Sequence, residues 1–310
     1  MKRRSFLRNT AAAGLGGALG LQFMGCGMDV PYLDKIGLQL WTVRNQLTAD
    51  PMGTLQAIKA AGYHQVELQS DAELDTILPM AKDAGLAVNS AHINFSSITG
   101  RWDLRGDNPQ PVEFETIVSR AKQAGLSDIV CGYIMKGNRE TMDDFKRLAE
   151  QLNRAGEIAN SAGLTLSYHN HSFEFKTLDG YPMAGMQELD YGYQILVDET
   201  DADKLSFEVD IFWVALGGAE PQKWINRLAD RCRMLHLKDL NPEIEVPLFD
   251  EGATPPEAFQ ELGDGTVDVI RCMNLGKVFN AAHVFVEQDQ SPDPLASIRQ
   301  SMEYLRAEAG

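Results

Sequence analysis

Short apolar runs rich in β-branched and aromatic residues alternate with longer amphipathic segments from about residue 34 onward. Eight runs have the length and composition of strands: KIGLQLW, QVELQ, LAVNSAHI, DIVCGYI, LTLSYHNH, LSFEVDIFW, RMLHLKD and HVFVEQD. The segments between them place apolar residues at helical spacing, in 51–61, 72–84, 111–124, 139–162, 220–229, 254–281 with its loop, and 292–308. Eight strand-helix units over about 275 residues predict an α/β fold of the (β/α)8 TIM barrel type, because an open doubly wound sheet more often has about five to seven strands.

The ends of the helical segments support this division. AAGYH, DAGLAV, QAGLSD and SAGLTL each place a glycine between a helical segment and the next strand, where a helix commonly ends in a residue with positive φ. The connection after the fifth run, KTLDGYPMAGMQELDYGYQILVDETD, is the least regular. We expect a loop and a short helix there.

The first 26 residues have the composition of an export signal. MKRRSFLRNT is basic, AAAGLGGALGLQFM is small and apolar, and GCG follows. The paired Arg3 and Arg4 resemble a twin-arginine signal, and FMGC resembles a lipoprotein cleavage box that would leave Cys26 as a lipidated N-terminus. A plain signal peptidase site nearby is the alternative. We expect residues 1–26 to be an export signal, with Cys26 as the possible site of lipidation, and residues 27–310 to form a single TIM-barrel domain. The exported protein would be periplasmic or a membrane-anchored lipoprotein.

The charge argues against a nucleic-acid partner. The 310 residues are 44% hydrophobic and carry a formal net charge of −16. The export segment has four basic residues and no acidic ones, so its removal would take the charge to −20. Such a chain opposes the phosphate neutralisation that nucleic-acid binding requires, and a neutral or cationic small molecule fits better.

The remaining cysteines and apolar runs argue against a disulfide framework, a cysteine metal site and a membrane-spanning segment after residue 26. After the export segment only Cys131, Cys232 and Cys272 remain, with no CxxC spacing, so neither a disulfide framework nor a cysteine metal site is indicated. No later apolar run reaches the roughly 18 residues of a membrane span. Membrane contact is therefore expected only through an N-terminal lipid, and the sequence assigns no oligomeric state.

Polar residues collect at the C-terminal ends of the predicted strands, where TIM barrels carry their chemistry. In chain order they are Trp41, Glu67, His92, Tyr133, His169 with His171, Asp210, His236 with Lys238, and Glu287. Asp210, His236 and Glu287 end the last three strands and would converge at the barrel mouth. Together with a donor from strand five they form a mixed imidazole and carboxylate set, which suits one divalent ion of Mn, Fe, Co or Zn.

Several of these stretches together resemble one family. GLQLWTVR, GYHQVEL, SAHINF, YHNHSFEF, FEVDIFWV, LHLKD and LGDGTVD are similar to segments of the xylose isomerase-like superfamily of sugar phosphate isomerases and epimerases, which also includes family 2 apurinic endonucleases. The resemblance covers roughly residues 34–308. It implies a TIM barrel whose metal ligands are Glu, Asp, His and Glu on strands five to eight.

Carried over to this chain, the resemblance implies that Asp210, His236 and Glu287 are metal ligands. Strand five differs from the family pattern at the fourth ligand. The family's Glu falls six residues after the glycine that ends the preceding helix, and six residues after Gly163 stands His169. His169 is therefore expected to bind the metal. His171 lies on the same face and is a second candidate or a substrate contact.

This departure bears on the mechanism that the resemblance implies. Family epimerases use two metal-bound Glu residues to remove and return a proton, and here Glu287 alone keeps that role. The other proton would be handled by Lys238, His92, His171 or Glu174. Inosose dehydratases of the superfamily carry a similar run of histidines on strand five and eliminate water next to a ketone. Both reactions remove a proton beside a polarised carbonyl and pass through an enediolate.

We therefore expect an exported, metal-dependent isomerase or epimerase acting on an unphosphorylated sugar or keto-sugar. A lyase of the dehydratase type is the first alternative, and a sugar-binding protein without activity is the second. An apurinic endonuclease would require a basic surface that this acidic chain lacks.

Individual roles follow from position. Glu287, Lys238 and His171 are the catalytic candidates; the Lys238 ammonium would stabilise an oxyanion or form an ion pair with Asp239 or Glu287. Glu174 resembles a family residue that binds substrate hydroxyls. The remaining candidates for substrate contact are Glu67, His92, Trp41 and Trp213. Glu208 is assigned to the interior of the barrel, and His64 and His283, at strand beginnings, are assigned no role.

Overall fold

The computed structural model describes Leu33 and residues 35–105, 110–178 and 191–309. The predicted export signal, including Arg3, Arg4 and Cys26, lies outside the described residues. Among the described helices, none combines the length and apolarity required to cross a membrane.

Eight parallel strands form a closed barrel in which β1 pairs with both β2 and β8. The strands are β1 (Ile36–Gln39), β2 (Gln65–Leu68), β3 (Ala87–Ile93), β4 (Asp128–Cys131), β5 (Thr165–His169), β6 (Ser206–Asp210), β7 (Cys232–Leu237) and β8 (His283–Val286). Seven of the eight predicted runs contain one of them, and β7 begins at Cys232, one residue before its run, so the predicted TIM barrel is confirmed.

The helices surround the barrel. They are α1 (Arg44–Ala49), α2 (Pro51–Ala61), α3 (Ile77–Asp83), α4 (Ser96–Thr99), α5 (Phe114–Ala124), α6 (Met142–Ser161), α7 (Gly192–Glu199), α8 (Ile211–Leu216), α9 (Pro221–Leu228), α10 (Val269–Val278) and α11 (Pro294–Ala309). Six of the seven predicted helical segments contain one of these helices, α11 extends one residue past its segment to Ala309, and α7 is the short helix expected after β5. The four glycines that follow α2, α3, α5 and α6 all have positive φ, between 76° and 103°.

Helix α6 illustrates how the sequence sets its boundaries. Thr141 caps its N-terminus in a capping box with Asp144, which satisfies backbone N–H groups that have no partner within the helix. Its buried face, including Phe145, Leu148 and Leu152, recurs at helical spacing and packs toward the barrel. The helix ends before Gly163, whose φ is 80°.

Strand six ends at Asp210, as expected, and a helix begins inside the same apolar run. The apolar run LSFEVDIFW continues to Trp213, but β6 ends at Asp210 and α8 begins at Ile211. The cause is local, because Asp210 Oδ1 accepts hydrogen bonds from the backbone N–H groups of Phe212 (2.9 Å) and Trp213 (3.1 Å). Such capping starts a helix, and it leaves Asp210 Oδ2 for another partner.

The barrel interior is divided into an apolar layer and a polar layer. Val130, Met234 and Phe285 form a buried cluster of their own. His236 lies two residues after Met234, and Glu287 lies two residues after Phe285. Because side chains alternate along a strand, both face the barrel interior, nearer to the C-terminal ends of the strands. The apolar cluster therefore closes the barrel beneath the polar groups, which must find partners among themselves.

The connection from β7 to α10 is more ordered than the sequence indicates. Two short antiparallel strands, Asp239–Leu240 and Phe259–Gln260, pair with each other. Asp239 accepts hydrogen bonds from the backbone N–H groups of Gly263, Gly265 and Val267 at 2.9 to 3.1 Å. The GDG loop thus folds around one buried carboxylate beside the barrel mouth.

Candidate metal centre and active site

Three of the predicted metal ligands meet at the ends of neighbouring strands. Asp210 on β6 is in register with His236 on β7, and His236 is in register with Phe285 on β8, two residues before Glu287. His236 Nδ1 lies 2.9 Å from Glu287 Oε2 and 4.0 Å from Asp210 Oδ2. All three side chains are buried.

His169, the predicted ligand from β5, faces the same point. Its Nε2 lies 3.9 Å from Asp210 Oδ2, and its Nδ1 lies 3.0 Å from Glu208 Oε2. One imidazole nitrogen therefore faces the predicted ligand set while the other is held by a carboxylate. The structure thus brings together His169, Asp210, His236 and Glu287.

Two fully buried carboxylates, Glu67 and Glu208, lie behind the histidines. His236 Nε2 is 2.7 Å from Glu67 Oε2 and 3.2 Å from Glu208 Oε1, and Gln39 Nε2 donates to Glu67 at 2.7 Å. Carboxylates that hold the second nitrogen of a metal-binding histidine fix its tautomer and orientation. Glu208 therefore contacts the ligands, a role that its assignment to the interior layer missed. Glu67, for which substrate contact is expected, is buried, is not among the described residues that line the cleft, and contacts His236.

His92 belongs to the same network. Its Nε2 lies 3.0 Å from Glu208 and 3.3 Å from Glu67. Burial lowers the pKa of His92, but the two carboxylates outweigh it and raise the pKa to about 10. A Cβ on Gly132 would lie 2.2 Å from His92 Nδ1, so the ring fits only because position 132 has no side chain. His92 lines the cleft, as expected of a wall residue.

The donor set fits a divalent ion. Asp210 Oδ2 is buried, with the Lys238 ammonium 3.1 Å away, and it also faces the nitrogens of His169 and His236 at 3.9 and 4.0 Å. Two imidazoles and two carboxylates are a donor set typical of Mn, Fe, Co or Zn sites. Among the described residues a second, overlapping group of donors comprises His92, His169, Glu208 and His236. We assign that group to ligand orientation because it includes the nitrogens that face away from Asp210 Oδ2.

Lys238 lies at the edge of this centre and is 1% exposed. Its ammonium is 2.9 Å from Glu287 Oε2, 3.1 Å from Asp210 Oδ2 and 3.1 Å from Asp289 Oδ1. The ion pair with Glu287 is therefore present, and the alternative with Asp239 is wrong because that carboxylate binds backbone N–H groups. Burial tends to raise the pKa of Glu287, but Lys238 and His236 hold it well below its usual value.

His171 occupies a different position from His169. Its ring stacks on Phe173 at 5.5 Å between centroids and lies 5.1 Å from the ring of Trp213, and its buried Nδ1 has no hydrogen-bond partner. Burial and the neighbouring His169 and Lys238 lower the pKa of His171 well below its ordinary value. His171 is thus a neutral imidazole in the wall of the cleft.

These groups surround a cleft of about 390 Å³ at the barrel mouth. Trp213 is 4% exposed and forms part of its inner wall, with the Lys238 ammonium 5.3 Å from the ring centroid. Trp41 is 45% exposed at the rim, with the Arg44 guanidinium 4.4 Å from its ring centroid. Glu287 and Asp289 also line the cleft.

Glu174, for which substrate binding is expected, is not among the described residues that line the cleft. It is fully buried; one oxygen accepts from the Tyr168 hydroxyl at 2.7 Å and the other from the His171 backbone N–H at 2.9 Å. Burial raises the pKa of Glu174 to about 7. Its contacts hold the backbone that carries His171.

Sequence reasoning missed two acidic residues of the cleft. Asp289 follows Glu287 by two positions, so the same-face rule that linked His236 to Lys238 would have identified it; burial raises its pKa to about 7. Glu251 comes from the long β7–α10 connection, and its carboxylate accepts from Arg139 at 2.8 Å and from the hydroxyl of Tyr133. No sequence signal connects residues so far apart.

Comparison with known proteins agrees with this geometry. Residues 55–308 match the xylose isomerase-like TIM barrel family. An inosose dehydratase from Geobacillus thermodenitrificans is 26% identical over 179 residues, which are 55% of this chain and 56% of that one. An inosose dehydratase from Lacticaseibacillus casei is 32% identical over 103 residues, 33% of this chain and 31% of that one. The chain thus aligns with about half or less of these relatives' length.

Solved structures share the fold at low identity. A sugar phosphate isomerase/epimerase from Parabacteroides distasonis superposes with a TM-score of 0.68 at 24% identity, covering 88% of this chain and 94% of that one. A 3-keto-D-glucoside 4-epimerase from E. coli superposes with a TM-score of 0.58 at 16% identity, covering 88% and 99%. The match over most of the chain and the barrel that carries the site lead to one assignment: the chain belongs to the xylose isomerase-like TIM barrel family.

Proposed function

We propose that this protein is a metal-dependent isomerase or epimerase that removes a proton beside the carbonyl of an unphosphorylated sugar or keto-sugar. The observation that carries the proposal is the convergence of His169, Asp210, His236 and Glu287 on one point beside the cleft. Glu287 also lines the cleft, so one carboxylate can reach both the metal-binding point and a substrate.

The residues of the site have distinct roles in this reaction. His169, Asp210, His236 and Glu287 would hold the ion, which when bound supplies a Lewis acid that polarises the substrate carbonyl. Glu287 is ionised and accepts the proton from the adjacent carbon. Lys238, whose ammonium lies 2.9 Å from Glu287, stabilises the negative charge that develops on the enediolate oxygen.

We assign the second proton-transfer role to His171. Its Nδ1 is buried without a hydrogen-bond partner in the cleft wall, and Glu174 holds the backbone at this residue. A neutral imidazole can accept a proton and return it elsewhere on the substrate. His171 thus substitutes for the strand-five carboxylate that the family's epimerases use.

Elimination of water is the second candidate, and a specific observation favours it. A histidine stands where the family has its strand-five Glu, and inosose dehydratases are among the relatives named above. In elimination, Glu287 would take the proton from the carbon beside the ketone and pass it to the leaving hydroxyl, which departs as water, while the neutral His171 would donate its N–H hydrogen bond to that hydroxyl. A sugar-binding protein without activity is the remaining alternative.

The lining of the cleft supports an unphosphorylated substrate. Among the described residues that line it, Lys238 is the one Lys or Arg side chain, and three carboxylates already surround its ammonium. Glu251 adds one further carboxylate to the lining. A phosphate group there would meet repulsion, so phosphorylated sugars should bind more weakly than their unphosphorylated counterparts.

Product analysis tests the proposal and separates its two forms. The metal-loaded protein is incubated in D₂O with a 3-keto-glucoside and with an inosose, and the products are identified by NMR. Isomerisation or epimerisation gives a new sugar with deuterium at the carbon beside the ketone, whereas elimination gives an unsaturated ketone. Binding without any product or exchange would support the inactive alternative.

Export is a separate proposal that rests on the N-terminal sequence. Replacement of Arg3 and Arg4 by Lys should retain the precursor inside the cell, and normal export of that variant would indicate the general secretory route. Cys26→Ser should release the protein from membranes if Cys26 is lipidated. Unchanged membrane association would rule out lipidation at Cys26.

A further inference from the structure

A second cleft adjoins the one that contains the metal-binding residues. Its volume is about 660 Å³, against about 390 Å³ for the first. Gln69 and Tyr133 line both clefts, so the two are neighbours across these side chains. The first cleft lies at the centre of the barrel mouth, with lining residues at the ends of all eight strands. The second lies to one side, over the ends of β2, β3 and β4, where Gln69, Asn94 and Tyr133 follow the strands.

The second cleft has the chemistry that recognises a sugar ring. Trp102 and Phe95 supply aromatic surface, and Asp71, Asn94 and Gln69 supply polar groups. A sugar presents apolar C–H faces and hydroxyl edges, which match aromatic rings and carboxylate or amide groups respectively. Trp102 is half-buried, so part of its ring remains accessible to a ligand.

The shared walls are held in place. Glu73 accepts hydrogen bonds from the backbone N–H of Gln69 at 3.0 Å and from its side-chain amide at 2.6 Å. The Tyr133 hydroxyl donates to Glu251, and Arg139 donates to the Tyr133 oxygen at 3.3 Å. Side chains fixed before binding lose little entropy when a ligand arrives. The boundary that the two clefts share is therefore a defined feature of the barrel mouth.

We propose that the substrate is a disaccharide, whose reacting ring lies in the first cleft and whose second ring lies in the second cleft against Trp102. This inference rests on the proposed function, because it names the substrate class of that reaction. Pockets of roughly 300 Å³ and above hold whole small ligands. The first cleft is thus large enough for one ring, and a monosaccharide would leave the larger cleft without a ligand group.

Binding measurements with matched probes test this directly. The probes are methyl 3-keto-glucoside and the 3-keto derivatives of trehalose, maltose and cellobiose, titrated calorimetrically into the full mature chain with its metal. We expect at least one disaccharide to bind about tenfold or more tightly than the methyl glycoside. Trp102→Ala should abolish that advantage and leave methyl glycoside binding unchanged, and Trp102→Phe should keep part of it.

Trp41→Ala is the matched control, because Trp41 is an exposed tryptophan at the rim of the first cleft. It should weaken both classes of probe by a similar factor. If Trp102→Ala does not fold, Asp71→Asn in the same cleft provides the comparison, again with loss of the disaccharide advantage expected. The proposal is overturned if no disaccharide binds more tightly than the methyl glycoside, or if the advantage survives in the second-cleft variant.

Failure of the proposed function gives a different result. The unoxidised disaccharides and methyl glucoside are titrated alongside, and deuterium exchange beside the ketone is followed separately. A disaccharide advantage without exchange would refute the reaction and keep the second-ring site. Exchange without any disaccharide advantage would refute the second-ring site and keep the reaction.

Discussion

His169 Nδ1 lies 3.0 Å from Glu208 Oε2, and this contact leaves the other imidazole nitrogen, Nε2, to face Asp210. His171, two residues later, has no such carboxylate and packs among aromatic rings instead. The two histidines of the strand-five motif thus lie in different surroundings. The difference supports our proposal that His169 binds the metal and that His171 contacts the substrate.

This assignment predicts opposite effects of two alanine substitutions. His169→Ala should lose bound metal, because one of four donors is removed. His171→Ala should retain metal and lose turnover, since Nδ1 of His171 faces no other donor. Inorganic mass spectrometry of the purified variants, together with activity, measures both effects. Metal loss in His171→Ala with full occupancy in His169→Ala would reverse the assignment.

Glu208 should affect metal affinity without being a ligand itself. Glu208→Gln keeps the shape of the side chain but weakens its hold on His169 and His236, so metal affinity should fall about 10- to 100-fold. Glu174→Gln is the control, because Glu174 is an equally buried carboxylate that contacts Tyr168 and a backbone N–H. Competition with a metal chelator measures both affinities. Equal affinities in the two variants would contradict the orienting role of Glu208.

The sequence predicted the eight strands, the main helices and the convergence of strand-end residues, because periodicity and parallel strand order are local properties. It did not predict the start of α8, since LSFEVDIFW reads as one apolar run and the capping contact of Asp210 is invisible in it. Nor did it place Glu208 and Glu67 against the histidines. Those contacts depend on register between strands and on the tilt of the barrel, which no single segment encodes.

Glu287 is predicted to be the base. Glu287→Gln keeps an oxygen donor for the metal but removes the basicity, so turnover should fall by about 10²- to 10⁴-fold while part of the metal remains bound. Single-turnover kinetics with a 3-keto-glucoside, corrected for metal content, give the comparison. An unchanged rate constant in metal-loaded Glu287→Gln would transfer the role to His171 or Lys238.

Asp128 should contribute stability that depends on pH. It is buried at the N-terminal end of the barrel; burial tends to raise its pKa, but hydrogen bonds from His283, Arg233 and Ser127 outweigh it and lower the pKa below the ordinary value. A carboxyl with a depressed folded pKa stabilises the protein above its unfolded pKa of about 3.9, and this contribution is lost as the pH falls through the folded value.

Asp128→Asn should therefore lower the free energy of unfolding by about 2 kcal/mol at neutral pH, and the difference from wild type should shrink below about pH 4. Urea unfolding at pH 7 and pH 3 measures this. Asp264→Asn, at an exposed carboxylate that accepts a hydrogen bond from Gln300, is the control and should change stability little. A constant difference across pH would exclude the ionised form of Asp128 as the source of the stability.

The central claim is that this barrel uses a bound divalent metal to remove a proton beside a sugar carbonyl. The most direct test is the rate at which solvent deuterium enters the carbon next to the ketone of a 3-keto-disaccharide or inosose, before chelation, after chelation and after metal is restored. We predict exchange that is lost on chelation and returns with Mn, Fe, Co or Zn. Full exchange by the chelated protein, or none by the metal-loaded protein on any of these substrates, would contradict the account.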